Sequence, residues 1–347
     1  MIAAVLHGPD DLRLEERTRP VPAADELLIR VAACAICGSD LRTYHFGAGN
    51  ITGPVVVGHE IAGTIVEIGA ALTGWSPGER VAVAPAVPCC DCVYCRRGMQ
   101  TMCDHLRSIG YQFDGGFADY MIVPREAVRA GCVNRVPEHL SLEAAALAEP
   151  LACAVNGQEL LGVGLDDTVA ILGAGPIGCL HADLARVRGA AKVIMIDVQE
   201  HRLELARAFA PSAVIDGSRE DVVARVLEET EGMGASVVIV AAPSAQAQGQ
   251  ALALAAKRGR ISFFGGLPKS DPYASVNSNL VHYRELFVMG AYGSMPRHNR
   301  SALDLLASGR IHVDVLLGLT VPLERLLDGY EAAAGGRVLK VVVKPLA

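Results

Sequence analysis

Cys89, Cys92, Cys95 and Cys103 stand with two, two and seven residues between them. Thiolates this close in sequence can close a tetrahedral metal site, and a site with four protein ligands has no open position for substrate. Its role would be structural, fixing a loop with little else to support it. Redox-active thiols and chance clustering are the competing explanations, and three evenly spaced cysteines followed by a fourth disfavour both. Cys90 leaves one alternative open, because it could replace Cys89 as a ligand, though it breaks the spacing.

A second chemistry is written in Gly173-Ala174-Gly175-Pro176-Ile177-Gly178. The run follows an apolar strand-like segment and opens a helix-like one, the context that gives a glycine-rich turn meaning. Gly173 permits a tight turn, Gly175 lets the backbone approach a pyrophosphate, and Gly178 permits close helix–strand packing. Pro176 and Ile177 begin the helix, whose free N–H groups and partial positive charge suit phosphate. Asp197 ends the next strand. A carboxylate there accepts hydrogen bonds from an adenosine ribose and repels a 2′-phosphate, which favours NAD over NADP. Arg202, five positions on, is the residue that would reverse this preference.

Cys37, His59, Glu60 and Glu149 are scattered, and no spacing rule gathers them. Taken singly they read as a small buried residue, a satisfied histidine and two solvated acids. Their surroundings change that weight. Ala33-Cys34-Ala35-Ile36-Cys37-Gly38-Ser39-Asp40, then Gly58-His59-Glu60, then the cysteine cluster and the glycine loop, resemble the zinc-containing medium-chain dehydrogenase/reductase family. The resemblance runs to Glu149-Pro150-Leu151 and to the ending Lys340-Val341-Val342-Val343-Lys344-Pro345, and is nearest to the sorbitol (polyol) and threonine 3-dehydrogenase branch. It implies that Cys37 and His59 ligate a catalytic zinc, with Glu60 and Glu149 at the same metal, alternating with water. A thiolate and an imidazole with a carboxylate or water leave the exchangeable position that a catalytic zinc requires. Asp40 is then the partner that orients the histidine.

The activity so implied is reversible NAD-linked oxidation of a secondary alcohol to a ketone, with zinc as Lewis acid and hydride passing to the nicotinamide. Ser39 occupies the place where the family carries a hydroxyl that takes the substrate proton. Two departures stand out. Many relatives have a histidine three residues after this Ser/Thr, where this chain has Arg42, a residue that does not release protons at working pH. Glu60, Glu149 or His45 would then carry the proton outward. Many sorbitol dehydrogenases also carry an Arg-Tyr pair that Gly290-Ala291-Tyr292-Gly293-Ser294 lacks, which argues against sorbitol itself. A polyol, cyclitol or amino-polyol is the expected substrate, with a β-hydroxy amino acid such as threonine as the alternative. A zinc-free reductase and a non-catalytic nucleotide-binding protein are weaker readings, because the ligands and Ser39 are intact.

The elements that must position these groups change character near residue 150. Before it, short β-like runs (Glu26–Val31, Ile61–Val66, Arg80–Val83) alternate with turn signals such as Gly53-Pro54 and Pro77-Gly78. From Thr168 the rhythm is strand, helix, strand: strands at Thr168–Leu172, Lys192–Val198, Ala213–Ile215, Val237–Ala241, Ile261–Phe264 and Arg284–Gly290. Helices are expected at Pro176–Arg188, Glu200–Phe209, Glu220–Glu229, Ala245–Lys257 and Asn299–Ser308. This alternation predicts an α/β fold with an open parallel sheet covered by helices on both faces. The family resemblance adds a discontinuous, mostly β GroES-like catalytic domain (1–153 and 295–347) into which a doubly wound Rossmann domain (154–294) is inserted.

With 347 residues, 51% hydrophobic and 20% charged, the chain is expected to be globular and to form more than one domain. Its net charge of −7 is dispersed and aromatics make up 5%, which argues against a nucleic-acid surface. No apolar run is long enough to span a bilayer. No export signal is evident, so a cytoplasmic location is expected, and ten cysteines there are thiols or ligands rather than disulfides. The implied partners are a small polyhydroxylated molecule and further copies of the chain, as homodimer or homotetramer.

Overall fold

The computed structural model describes residues 1–346 and divides into two compact units. The first comprises Met1–Ala152, Gly293–Gly309 and Leu316–Ala347; the second comprises Cys153–Tyr292 and Arg310–Val315. Residues 310–315, placed with the first domain on sequence grounds, therefore belong to the second unit. The reason is local: the His312 backbone N–H and Nδ1 each lie 2.8 Å from a carboxylate oxygen of the buried Asp183.

The first unit is organised by the strand Leu27–Ala35. It pairs antiparallel with Glu60–Ile68, with Tyr120–Val123 and with the late strand Lys340–Lys344. Its nine residues are almost all buried, which matches a run as apolar as LLIRVAACA lying at the centre of a sheet. The pairing sets Ala35 opposite both Glu60 and Val342. The end of the central strand is thus flanked by the start of one neighbour and the start of the other. Leu27, Ile29, Ile61, Phe117 and Val341 fill the core beneath it.

The second unit is a six-stranded parallel sheet whose order, counted along the chain, is 3-2-1-4-5-6, the doubly wound arrangement. Val169–Leu172, Val193–Ile196 and Val237–Val240 are fully buried, as expected for strands covered on both faces. Among the boundaries that differ from the sequence reading, two lie late in this unit. The helix Ala245–Leu254 stops earlier and the fifth strand begins at Ala255. The sixth strand runs only over Phe287–Gly290, because Arg284 closes a helix, Ser278–Arg284, that Asn277 caps through its side chain. Glu285 then turns the chain in the left-handed region (φ 50°). Among the described residues no helix is long and apolar enough to cross a membrane.

Candidate active site

Cys37 ends the central-strand segment and caps the helix Gly38–Phe46. Asp40, in the first turn of that helix, accepts the Cys37 backbone N–H at 2.8 Å on one oxygen. Its other oxygen lies 3.1 Å from Nδ1 of His59. One buried carboxylate therefore fixes both the backbone of Cys37 and the ring of His59. His59 and Glu60 follow Gly58, which adopts φ 92°; a Cβ there would lie 2.8 Å from Cys34 Sγ and from the Phe117 ring. Only glycine lets the chain pass this point of the core.

The sulfur of Cys37, a ring nitrogen of His59 and a carboxylate oxygen of Glu60 all lie within 4.8 Å of one another. Burial works against a charged His59, but the charge and hydrogen bond of Asp40 outweigh it and hold the imidazole well above its ordinary pKa. Burial raises the Glu60 carboxyl to about 7, against the pull of the Lys340 ammonium and with the Glu149 charge adding to the rise. Lys340 donates to Glu60 Oε1 at 2.5 Å, whereas buried Oε2 has no hydrogen-bond partner. Buried polar atoms are rarely left so. A thiol, an imidazole and a carboxylate with an orphaned oxygen form a donor set that fits a metal ion. Glu149 stands outside the 4.8 Å set, near enough for its charge to act on Glu60 and Lys340.

Ser39 Oγ lies 3.4 Å from Nε2 of His59, so it faces the same centre. Tyr111 stands beside the same histidine, its ring centroid 5.9 Å from that of His59. Burial raises the Tyr111 pKa, so it is a neutral phenol at working pH. Arg42 is exposed, and His45 is tied at 2.7 Å to Asp10 on the surface. Lys340 and Tyr111 are the residues that site reasoning from sequence passed over. Lys340 entered it only within the C-terminal run that carries the family resemblance.

The four sulfurs of Cys89, Cys92, Cys95 and Cys103 also lie within 4.8 Å of one another. Cys89 and Cys95 are 4.0 Å apart, far beyond a disulfide and close to the roughly 3.8 Å edge of a tetrahedron with 2.3 Å metal–sulfur bonds. Backbone N–H groups converge on the sulfurs. Cys89 accepts from Asp91 and Cys92, and Cys103 accepts from Cys89 and His105. Such donors favour the thiolate: they lower the Cys89 pKa and, with the Cys95 N–H foremost, bring Cys92 down to about 6. Cys90 is not part of the set. It sits at φ 59°, with Sγ 3.7 Å from both the Pro88 carbonyl and Gln100 Nε2.

In the glycine loop, a Cβ on Gly178 would fall 1.8 Å from the Gly173 carbonyl oxygen, so helix and strand meet only over a glycine. Gly175 caps the helix Pro176–Val187, and a Cβ there would meet nothing within 4 Å. Open space at a helix N-terminus is what a pyrophosphate needs. Asp197 accepts the Ala174 N–H at 2.7 Å and the Gln199 N–H at 2.9 Å, which holds its carboxylate beside the loop. Arg202 lies one turn into the following helix, Glu200–Ala206.

Comparison with known proteins agrees with these features. Residues 23–133 match the alcohol dehydrogenase GroES-like domain and residues 176–308 match the zinc-binding dehydrogenase family. The chain is 32% identical to a D-arabitol-phosphate dehydrogenase of Enterococcus avium, over 97% of this chain and 95% of the relative. It is likewise 32% identical to an L-threonine 3-dehydrogenase of Pyrococcus furiosus, over 99% and 98%. A structure described as a zinc-binding dehydrogenase of Sinorhizobium meliloti bound to NADP superposes with a TM-score of 0.92 at 34% identity, covering 99% of each chain. The chain belongs to the zinc-dependent medium-chain alcohol dehydrogenases, in the branch of the polyol and threonine dehydrogenases.

Proposed function

We propose that this dehydrogenase oxidises a secondary alcohol of a polyol, cyclitol or amino-polyol to the ketone, with NAD as acceptor. The observation that carries the reading is the convergence of Cys37, His59 and Glu60 beside an unpartnered carboxylate oxygen. Cys37, His59 and Glu60 would hold the catalytic zinc, with Glu149 close by, and zinc held there supplies Lewis acidity toward an alcohol oxygen. Asp40 keeps the His59 ring in place through Nδ1, which leaves Nε2 as its metal-facing nitrogen. Ser39, beside that nitrogen, accepts the hydroxyl proton. Arg42 and His45, both exposed and His45 bonded to Asp10, take no part in the first proton transfer. Cys89, Cys92, Cys95 and Cys103 would hold a second, structural zinc.

NAD is favoured because Asp197 is fixed at the end of its strand, where a carboxylate repels a 2′-phosphate. The Sinorhizobium relative carries NADP, so cofactor choice is the sharpest question. A panel of polyols, cyclitols and threonine, read by NADH or NADPH absorbance, tests both parts of the reading. Turnover of a polyol or cyclitol with NAD is expected. Turnover confined to threonine, or kcat/KM higher with NADP, would contradict the respective part. We further propose a homo-oligomer, supported by Phe287 and Val288, which lie exposed on the strand at the free edge of the parallel sheet. A monomer in solution at micromolar concentration would contradict that.

A further inference from the structure

Lys340 is a lysine with 4% exposure, in a position where a charge needs a reason. It opens the strand Lys340–Lys344, on the far side of the central strand from Glu60. Its ammonium crosses the end of that central strand. It donates to the Ile36 carbonyl at 2.9 Å, immediately before Cys37, and to Glu60 Oε1 at 2.5 Å. Glu60 has no exposure at all, and its other oxygen has no partner. Three strand ends, two of them next to or carrying a member of the donor set and the third carrying Lys340, are therefore tied through one ammonium group.

We propose that Lys340 is a positioning residue for the catalytic centre, holding one oxygen of Glu60 so that the carboxylate offers the metal only the other. This rests on the reading of Cys37, His59 and Glu60 as metal ligands. A buried carboxylate with no counter-charge seeks the nearest cation, because an unpaired buried charge is strongly unfavourable. Without Lys340 that cation would be the metal, and both oxygens of Glu60 would be free to close on it. With Lys340 in place, Glu60 is restrained and a coordination position stays open to the alcohol oxygen. Lys340 thus acts through Glu60, and it need touch neither substrate nor cofactor.

Replacing Lys340 should change metal release in the direction opposite to that expected of a merely structural lysine. In Lys340→Met the catalytic metal should leave more slowly toward a chelator such as dipicolinate, whereas losing an ordinary support of a ligand would weaken metal binding by roughly 10–100-fold. Turnover should fall at the same time, and cobalt substituted at the site should show an altered visible spectrum. Lys340→Arg, which keeps the cation, should restore the wild-type release rate and spectrum. Faster metal release in Lys340→Met, or an unchanged cobalt spectrum, would overturn the proposal. Should Lys340→Met alone fail to fold, Lys340→Met/Glu60→Gln removes both charges together. Its cobalt spectrum should match that of Glu60→Gln alone, and a further change would overturn the proposal. The wild-type protein separates the two levels of the argument. If cobalt enters only the four-cysteine site of the wild type, the metal reading itself fails. If it also enters the second site and Lys340 leaves it unaltered, only the role of Lys340 fails.

Discussion

The two cysteine-bearing clusters of the first unit solve different problems with overlapping chemistry. Cys89, Cys92, Cys95 and Cys103 come from one short excursion, carry no side-chain ligand of another kind, and receive backbone N–H groups at their sulfurs. Cys37, His59 and Glu60 come from the ends of two neighbouring strands, Cys37 just after one and His59-Glu60 at the start of the other, and differ in kind. They are held by side chains: Asp40 for the first two and Lys340 for the third. A closed set of four like donors can be built locally, since nothing has to enter it. An open set must keep a position free, so its ligands need outside restraint, and that restraint has to come from the sheet.

The largest effect should follow Cys37→Ser. Losing the Lewis acid removes several kcal/mol of transition-state stabilisation, about a thousandfold or more in turnover, while NAD binding measured by fluorescence titration stays close to wild type. Equal loss of both would mean that the centre is not where the chemistry happens. Asp40→Asn should come next, with a loss of about 10–100-fold in metal affinity or activity, because it holds two ligand-bearing residues at once. A change of less than twofold in both metal retention and kcat would deny Asp40 that role. Cys95→Ser should behave differently from either: the segment from Cys89 to Cys103 becomes protease-sensitive and one metal is lost, yet turnover per folded chain is nearly retained. If its turnover collapsed as in Cys37→Ser, the division between the two clusters would be wrong.

Buried histidines extend the contrast to the second unit. His59 is held above its ordinary pKa by Asp40, whereas His181 has no acid beside it, and burial alone pushes it down to about 3. Its Nδ1 meets Gln158 at 3.3 Å and its Nε2 has no partner. The unfolded chain therefore binds a proton near pH 6.5 that the folded chain refuses. Stability from this residue is full above that value and is lost as pH falls from about 6.5 toward 3, at no more than about 1.4 kcal/mol per pH unit. His181→Leu should flatten the acid limb of the urea midpoint between pH 7 and 4.5. An unchanged limb would show that His181 does not titrate in this way.

The same contrast explains how far the sequence could be read. The four-cysteine set and the glycine loop are local patterns, so spacing and flanking periodicity were enough to find them. The parallel sheet was legible for the same reason, since its strands are short apolar runs between helices. The helix Ser278–Arg284 was missed because it is short and mostly polar, with only Leu280 and Val281 partly buried against the core. Cys37, His59 and Glu60 were gathered only by resemblance, because what unites them is pairing across the sheet. Lys340 was invisible as a site residue: 280 positions separate it from Glu60, and a lysine at a strand end reads as solvated. Only the register of the late strand against Ala35 shows that it is buried at the site.

Metal stoichiometry coupled to turnover tests the central claim most directly. The purified chain should hold about two zinc ions, and a chelator should remove one of them first, with activity falling in proportion while the four-cysteine zinc remains. A chain that holds a single zinc at the four-cysteine site and still oxidises an alcohol would contradict the assignment of catalysis to Cys37, His59 and Glu60.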